Sequence, residues 1–159
     1  MKHALKRIFI LVGVITLALT ACSKRDRVID VGADDAEMNA AIAKARKMLP
    51  HFWQVLEKPE RGESDFALKV KITDNNGTEH FWTIDIDKSG GKIMGTINND
   101  PNVVETVKLG TRMEIPEADI SDWMYVRDEK MIGNYTIVPL FREMSDDQVK
   151  HFKSIMADP

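Results

Sequence analysis

Cysteine is nearly absent: Cys22 is the single one in 159 residues. An internal disulfide framework is excluded, and so is a thiolate-rich zinc site. Histidine is scarce too. His3, His51, His80 and His151 lie far apart, without the spacing of a paired zinc-ligand motif. No Gly-x-Ser-x-Gly elbow is present, so that nucleophile signature is missing. No block of Lys and Arg occurs, which argues against nucleic acid, where binding rests on neutralised phosphates. Long apolar runs are lacking as well. The longest covers 14 residues, Ile8 to Ala21, short of the roughly 20 that a spanning helix needs. No cofactor and no metal are expected.

What is present first is an address. Lys2, Lys6 and Arg7 precede the apolar run, which ends in Leu19-Thr20-Ala21-Cys22. This resembles a bacterial lipoprotein signal peptide, in which the cysteine is acylated and becomes the first mature residue. The expected plan is a signal over 1–21, a lipid-anchored tether over 22–33 and one domain over 34–159. Several acyl chains anchor such a protein without further membrane contact. Ser23 in place of Asp favours the outer membrane, facing the periplasm, over the inner. The signal carries three of the 22 basic side chains and none of the 25 acidic ones. The remaining 19 basic against 25 acidic give the mature chain a charge of about −6. Its 138 residues suffice for an ordinary core.

Asp34 to about Lys58 reads as a helix, with Asp34 and Glu37 as a capping pair and Met38, Ala41, Ile42, Ala45 and Leu49 on one face. Pro50 predicts a break or restart. Phe66, Leu68, Val70 and Ile72 then alternate along a strand. Asn76-Gly77 predicts a hairpin turn, followed by a strand in which His80, Trp82, Ile84 and Ile86 alternate. Lys92–Ile97 completes an antiparallel meander. Val103–Lys108 reads as a short helix or irregular chain, and Arg112–Ile115 as a short strand. A second hairpin over 123–127 and 131–140 turns at Asp128-Glu129. Ser145 and Gln148 form a capping box for a last helix. The class is α+β: a bent antiparallel sheet of five to six strands, or a small barrel-like sheet, with one helix at each end.

The densest unusual stretch runs from Ile115 to Thr136. Asp119, Asp122, Trp123, Tyr125, Asn134 and Tyr135 could form a binding surface, with aromatics for area and carboxylates for a cationic or hydroxylated ligand. The same residues could be architecture: Asp119 capping a turn, Trp123 in the core, the tyrosines as a cross-strand pair. His80 with Asp119 or Asp122 is the candidate for catalysis, and it requires the carboxylate to lie within reach. Asp85 to Gly90 resembles half of a calcium loop, but Thr96 stands where a bidentate carboxylate is needed.

Several runs carry a resemblance. They include Ala33-Asp34-Asp35-Ala36-Glu37-Met38-Asn39, Phe66-Ala67-Leu68-Lys69-Val70-Lys71-Ile72, Glu79-His80-Phe81-Trp82, Asn99-Asp100-Pro101, Lys108-Leu109-Gly110, Ile120-Ser121-Asp122-Trp123-Met124-Tyr125 and Gly133-Asn134-Tyr135-Thr136. The chain thereby resembles the YegJ-like family of bacterial proteins of unknown function, over about residues 33–156. The resemblance implies one intact domain and brings no catalytic residue with it. The expectation is a lipid-anchored envelope protein that binds a protein partner or small ligand and not nucleic acid. An envelope hydrolase using a carboxylate–His pair and an immunity-like or structural partner protein are the alternatives.

Overall fold

The computed structural model describes residues 35–159. The signal peptide, Cys22, the tether and Asp34 lie outside the described residues.

Helix α1 spans Ala36–Glu57. Asp35 caps it, its Oδ1 accepting the amides of Glu37 and Met38 at 3.0 and 2.9 Å. Pro50 lies inside, and the helix does not break there. Proline costs an interior helix about 3 kcal/mol. Keeping Ala45, Leu49 and Phe52 on one buried face offsets that cost, since each large apolar side chain contributes about 1.5–3 kcal/mol.

Seven strands form one open sheet: β1 Glu63–Asp74, β2 Gly77–Asp87, β3 Met94–Ile97, β4 Arg112–Glu114, β5 Ile120–Arg127, β6 Lys130–Gly133 and β7 Met156–Ala157. Their order is β4-β3-β2-β1-β5-β6-β7. Every pair is antiparallel except β6–β7. The sheet is therefore mixed, open and one or two strands larger than its sequence suggests. The extra strand is two residues long and follows helix α2, Asp146–Ile155. The Ser145–Gln148 capping box stands where the sequence puts it.

The first hairpin turns at Asn75-Asn76, one residue early, because Asp74 Oδ1 accepts the Asn76 amide at 2.8 Å and Asp74 pairs with Gly77. In β2 the inward set is the reverse of the alternation marked by His80 and Trp82. Val70 faces Phe81 and Leu68 faces Thr83, so Glu79, Phe81 and Thr83 are buried. A one-residue shift exchanges the two faces of a strand, and β2 has bulky residues on both. A bulge near Asp85 (φ 51°) then returns Ile86 to the core side.

Asp128 and Glu129, both at positive φ, close the β5–β6 hairpin. Strand β6 ends at Gly133 rather than Leu140. A Cβ at Gly133 would lie 2.4 Å from the Trp123 carbonyl oxygen. Asn134 (φ 51°) then turns the chain into short 3-10 turns over Tyr135–Ile137 and Pro139–Glu143. Val103–Lys108 is irregular.

Helix α1 packs on β5 and on the turn at Tyr135–Ile137. The main core joins Ala45, Leu49 and Phe52 to Leu68, Val70, Ile120, Trp123 and Tyr125. Lys69, Lys71, His80 and Trp82 project from the other side of β1 and β2, as strand alternation requires.

Candidate functional site

Of the six candidate surface residues between Asp119 and Tyr135, five are buried and Asp119 is half-buried. Trp123 and Tyr125 are fully buried, and Asn134 and Tyr135 nearly so. Trp123 donates from Nε1 to the Ala45 carbonyl at 2.9 Å, and its ring meets Tyr135 edge-on and Tyr125 stacked. Asn134 supplies the left-handed turn, and its Nδ2 lies 3.2 Å from Met131 Sδ. Asp119 ends a 3-10 turn, its amide bound to the Pro116 carbonyl at 2.9 Å. These residues therefore do not make an open acidic-aromatic surface. Trp123 and Tyr125 are inward residues of a central strand, and the turn after β6 folds Tyr135 against α1.

Asp122 organises that turn. It is completely buried. Its Oδ1 accepts the amides of Trp123 and Tyr135 at 2.9 and 3.2 Å, and its Oδ2 accepts the Thr136 amide and hydroxyl at 2.7 and 2.6 Å. Lys69 Nζ donates to the same Thr136 hydroxyl at 3.0 Å. The ammonium and the carboxylate thus face each other through one hydroxyl. Burial pushes the Asp122 carboxyl up, against the pull of Thr136, Trp123 and Lys69. Burial also pushes the Lys69 ammonium down, against the pull of Asp122.

Two further carboxylates hold the irregular loop beyond β3. Glu79 is buried and accepts the amides of Asn102, Val103 and Val104 at 2.7–3.1 Å. Asp74 Oδ2 accepts those of Glu105 and Thr106 at 2.7 and 3.2 Å. Burial works to raise the Glu79 pKa, but these amides outweigh it and hold it below the usual range. Amide bonds, Glu105 first, do the same for Asp74.

His80 does not meet a carboxylate. Its Nδ1 lies 2.8 Å from Ser121 Oγ, and Ser121 Oγ donates to the Lys69 carbonyl at 3.1 Å. Burial of the ring and the Lys69 and Lys71 ammoniums push the imidazole down to about 4. Lys69 Nζ sits 5.2 Å from the centroid of the Trp82 ring. On this face Lys71 and His80 are exposed, and Lys69, Trp82 and Ile84 are half-buried.

Sequence spacing offers no signal for two further features. His51 Nε2 lies 3.2 Å from Tyr125 Oη, to which Arg127 Nη2 donates at 2.6 Å, while Arg127 Nε donates to Glu63 Oε1 at 2.9 Å. The Glu60 amide and Arg127 hold Glu63 below its usual range, and burial raises the Tyr125 phenol. This chain joins α1 to β5 and β1 across contacts remote in sequence. A cleft of about 540 Å³ lies between α1 and the β2–β3 turn, lined by Trp53, Leu56, Ile86 and Lys88 among others. Lys88 Nζ stands 4.4 Å from the Trp53 ring centroid. Among the described residues, no group of three or more His, Cys, Asp or Glu is placed to hold a metal, and no helix is long and apolar enough to cross a membrane.

Residues 35–157 match the family model described as an uncharacterized protein conserved in bacteria, DUF2314. The chain is 39% identical over 137 residues to the uncharacterized protein YegJ of Escherichia coli K12, covering 86% of this chain and 88% of that one. It is 33% identical over 123 residues to a protein of Neisseria meningitidis serogroup B named as a putative ankyrin repeat protein, covering 72% of this chain and 48% of that relative. No solved structure matches. The matched span takes in both helices and all seven strands, and the chain belongs to the DUF2314 family of bacterial proteins.

Proposed function

We propose that this chain is a lipid-anchored binding module of the bacterial envelope whose contact surface is the sheet face bearing Lys69, Lys71, His80 and Trp82. Cys22 is the acylation site, and the anchor holds the domain at the outer membrane, facing the periplasm. The observation that carries the contact surface is its exposure: α1 makes its main contacts on β5 and the turn after β6, leaving His80 and Lys71 open to solvent and Trp82 half-open. An indole half-open beside ammonium groups offers a ligand both an apolar plane and charge. The role of Asp119–Tyr135 is then to hold the fold.

The Neisseria relative lends support. Its match covers 48% of that protein, so a domain of this kind occurs joined to a comparable length of other sequence, as modules do. Ankyrin arrays as a class present extended binding surfaces. The hydrolase alternative has less support, because His80 reaches a buried serine whose proton is committed to a carbonyl.

Photo-crosslinking in cells tests the surface. A photoreactive residue at position 80 or 82 of the full chain should give a discrete adduct, while one at exposed Lys92 should not. Equal labelling at all three positions, or none at 80 and 82, contradicts the contact surface. Cys22→Ala should move the protein from the membrane to the soluble fraction, and its retention at the membrane contradicts the anchor.

A further inference from the structure

We infer that the open face around His80 binds an acidic saccharide, with a sugar hydroxyl donating to His80 Nε2, the carboxylate held by Lys71, and the ring lying against Trp82. This rests on the proposed contact surface and names what that surface takes.

Hydrogen-bond accounting fixes the imidazole. A serine hydroxyl has one hydrogen, and a carbonyl only accepts. Ser121 gives its hydrogen to the Lys69 carbonyl, so toward His80 it is the acceptor. Nδ1 therefore carries the ring hydrogen. Nε2 is left as a bare lone pair with no protein partner among the described residues, on an exposed residue. An orienting bond on one ring nitrogen sets the role of the other. The ring's partial burial and, after it, the two ammoniums of β1 keep the imidazole neutral through the physiological range. His80 is thus a fixed acceptor and calls for a donor.

The neighbours supply the rest. Lys71 is the direct cross-strand partner of His80 and is exposed; Lys69 pairs with Trp82 in the next row. Cross-strand partners have Cβ atoms about 5 Å apart, so one small ligand reaches both. Lys69, Lys71, Trp82 and Ser121 surround His80, and the carboxylate nearest them is Asp122, the fully buried cross-strand partner of Lys69. The Asp122 carboxylate is committed to the Thr136 hydroxyl and three amides. Asp122 answers Lys69 through Thr136, so the exposed Lys71 ammonium is the cation of this face that an anion meets. The indole adds an apolar plane of the kind that sugar rings cover. A plain carboxylate lacks the donor, a neutral sugar lacks the charge, and phosphate lacks the apolar face.

The experiment uses the full chain in a sugar-free detergent, titrated with trigalacturonate, maltotriose and inorganic phosphate. Long-range ¹H–¹⁵N spectra read the two His80 nitrogens, and indole signals read Trp82. Before titration, Nδ1 should show as protonated and Nε2 as bare; the opposite pattern overturns the inference. Trigalacturonate should shift both His80 and Trp82 saturably. Maltotriose should bind at least about tenfold more weakly, one tenfold step being about 1.4 kcal/mol. His80→Phe and Lys71→Glu should each weaken trigalacturonate by a similar factor. If phosphate matches trigalacturonate, the face is a simple anion site and the inference fails. It also fails if maltotriose binds equally, or if nothing shifts. Failure here with crosslinks at positions 80 and 82 intact removes the saccharide and leaves the contact surface. Loss of both removes the surface itself.

Discussion

Asp122 and Glu79 use the same device in two parts of the molecule, and their carboxyls move in opposite directions. Each sits on a central strand that runs past a short neighbour and gathers backbone amides from an irregular segment beside it. Asp122 holds Tyr135 and Thr136 beyond the end of β6. Glu79 holds Asn102 to Val104 beyond the end of β3. Asp122 is fully enclosed, and burial wins, raising its pKa. Glu79 keeps a small opening to solvent, and its amide donors win, lowering it. Charge removal from water is costly unless hydrogen bonds and opposite charge compensate. The contrast shows how far the same donors carry a carboxylate at two depths.

The largest expected effect is at Asp122. Asp122→Ala strands three amides and the Thr136 hydroxyl in the interior and leaves the half-buried Lys69 ammonium without its carboxylate. A loss of about 3–5 kcal/mol follows, as for one partner of a buried charge pair, read from urea unfolding of the full chain. Glu79→Gln should cost less, about 1–2 kcal/mol. Hydrogen exchange should place that loss at Asn102–Val104 and leave Tyr135 and Thr136 protected.

The two sites also separate by pH. The Glu79 and Asp74 pKa values are depressed on folding, so the stability they contribute is present above the unfolded value, about 4. It is lost as pH falls through their folded values. The Asp122 pKa is raised, so its contribution is present below the unfolded value and lost as pH rises through the folded one. Acidification should therefore first relieve Asp122 and then release the loop held by Glu79 and Asp74. Unfolding free energy measured against pH should lose the first effect in Asp122→Asn and weaken the second in Glu79→Gln.

The smallest expected effect is at His80. His80→Ala removes one side-chain bond on an exposed residue, so its stability cost should stay within about 1 kcal/mol. A loss comparable to that of Asp122→Ala would mean that the open face is structural too.

Much of the frame is legible in local chemistry. The alternation of Phe66 to Ile72, the turn at Asp128-Glu129 and the Ser145 capping box depend on neighbours within a few residues, and each is found in place. What is not legible depends on distant partners. Pro50 stays helical because Ala45, Leu49 and Phe52 have a sheet to cover. The inward face of β2 is chosen by Val70 and Leu68 across the hairpin. Strand β7 is only two residues long and exists because β6 offers an edge. The cluster from Asp119 to Tyr135 reads both as pocket and as architecture. Only the return of the chain at Gly133 and Asn134 puts the amides of Tyr135 and Thr136 onto Asp122 and closes it from solvent. The His51–Tyr125–Arg127–Glu63 chain joins three elements and leaves no trace in spacing.

The central claim is that the Asp122 carboxylate holds the fold rather than a ligand, and urea unfolding of Asp122→Ala in the full chain tests it most directly. A loss of about 3 kcal/mol or more, or a chain that no longer folds, is the predicted result. An unchanged midpoint and slope, with loss of the crosslinked adduct at positions 80 and 82, would contradict it and place Asp122 in the contact surface.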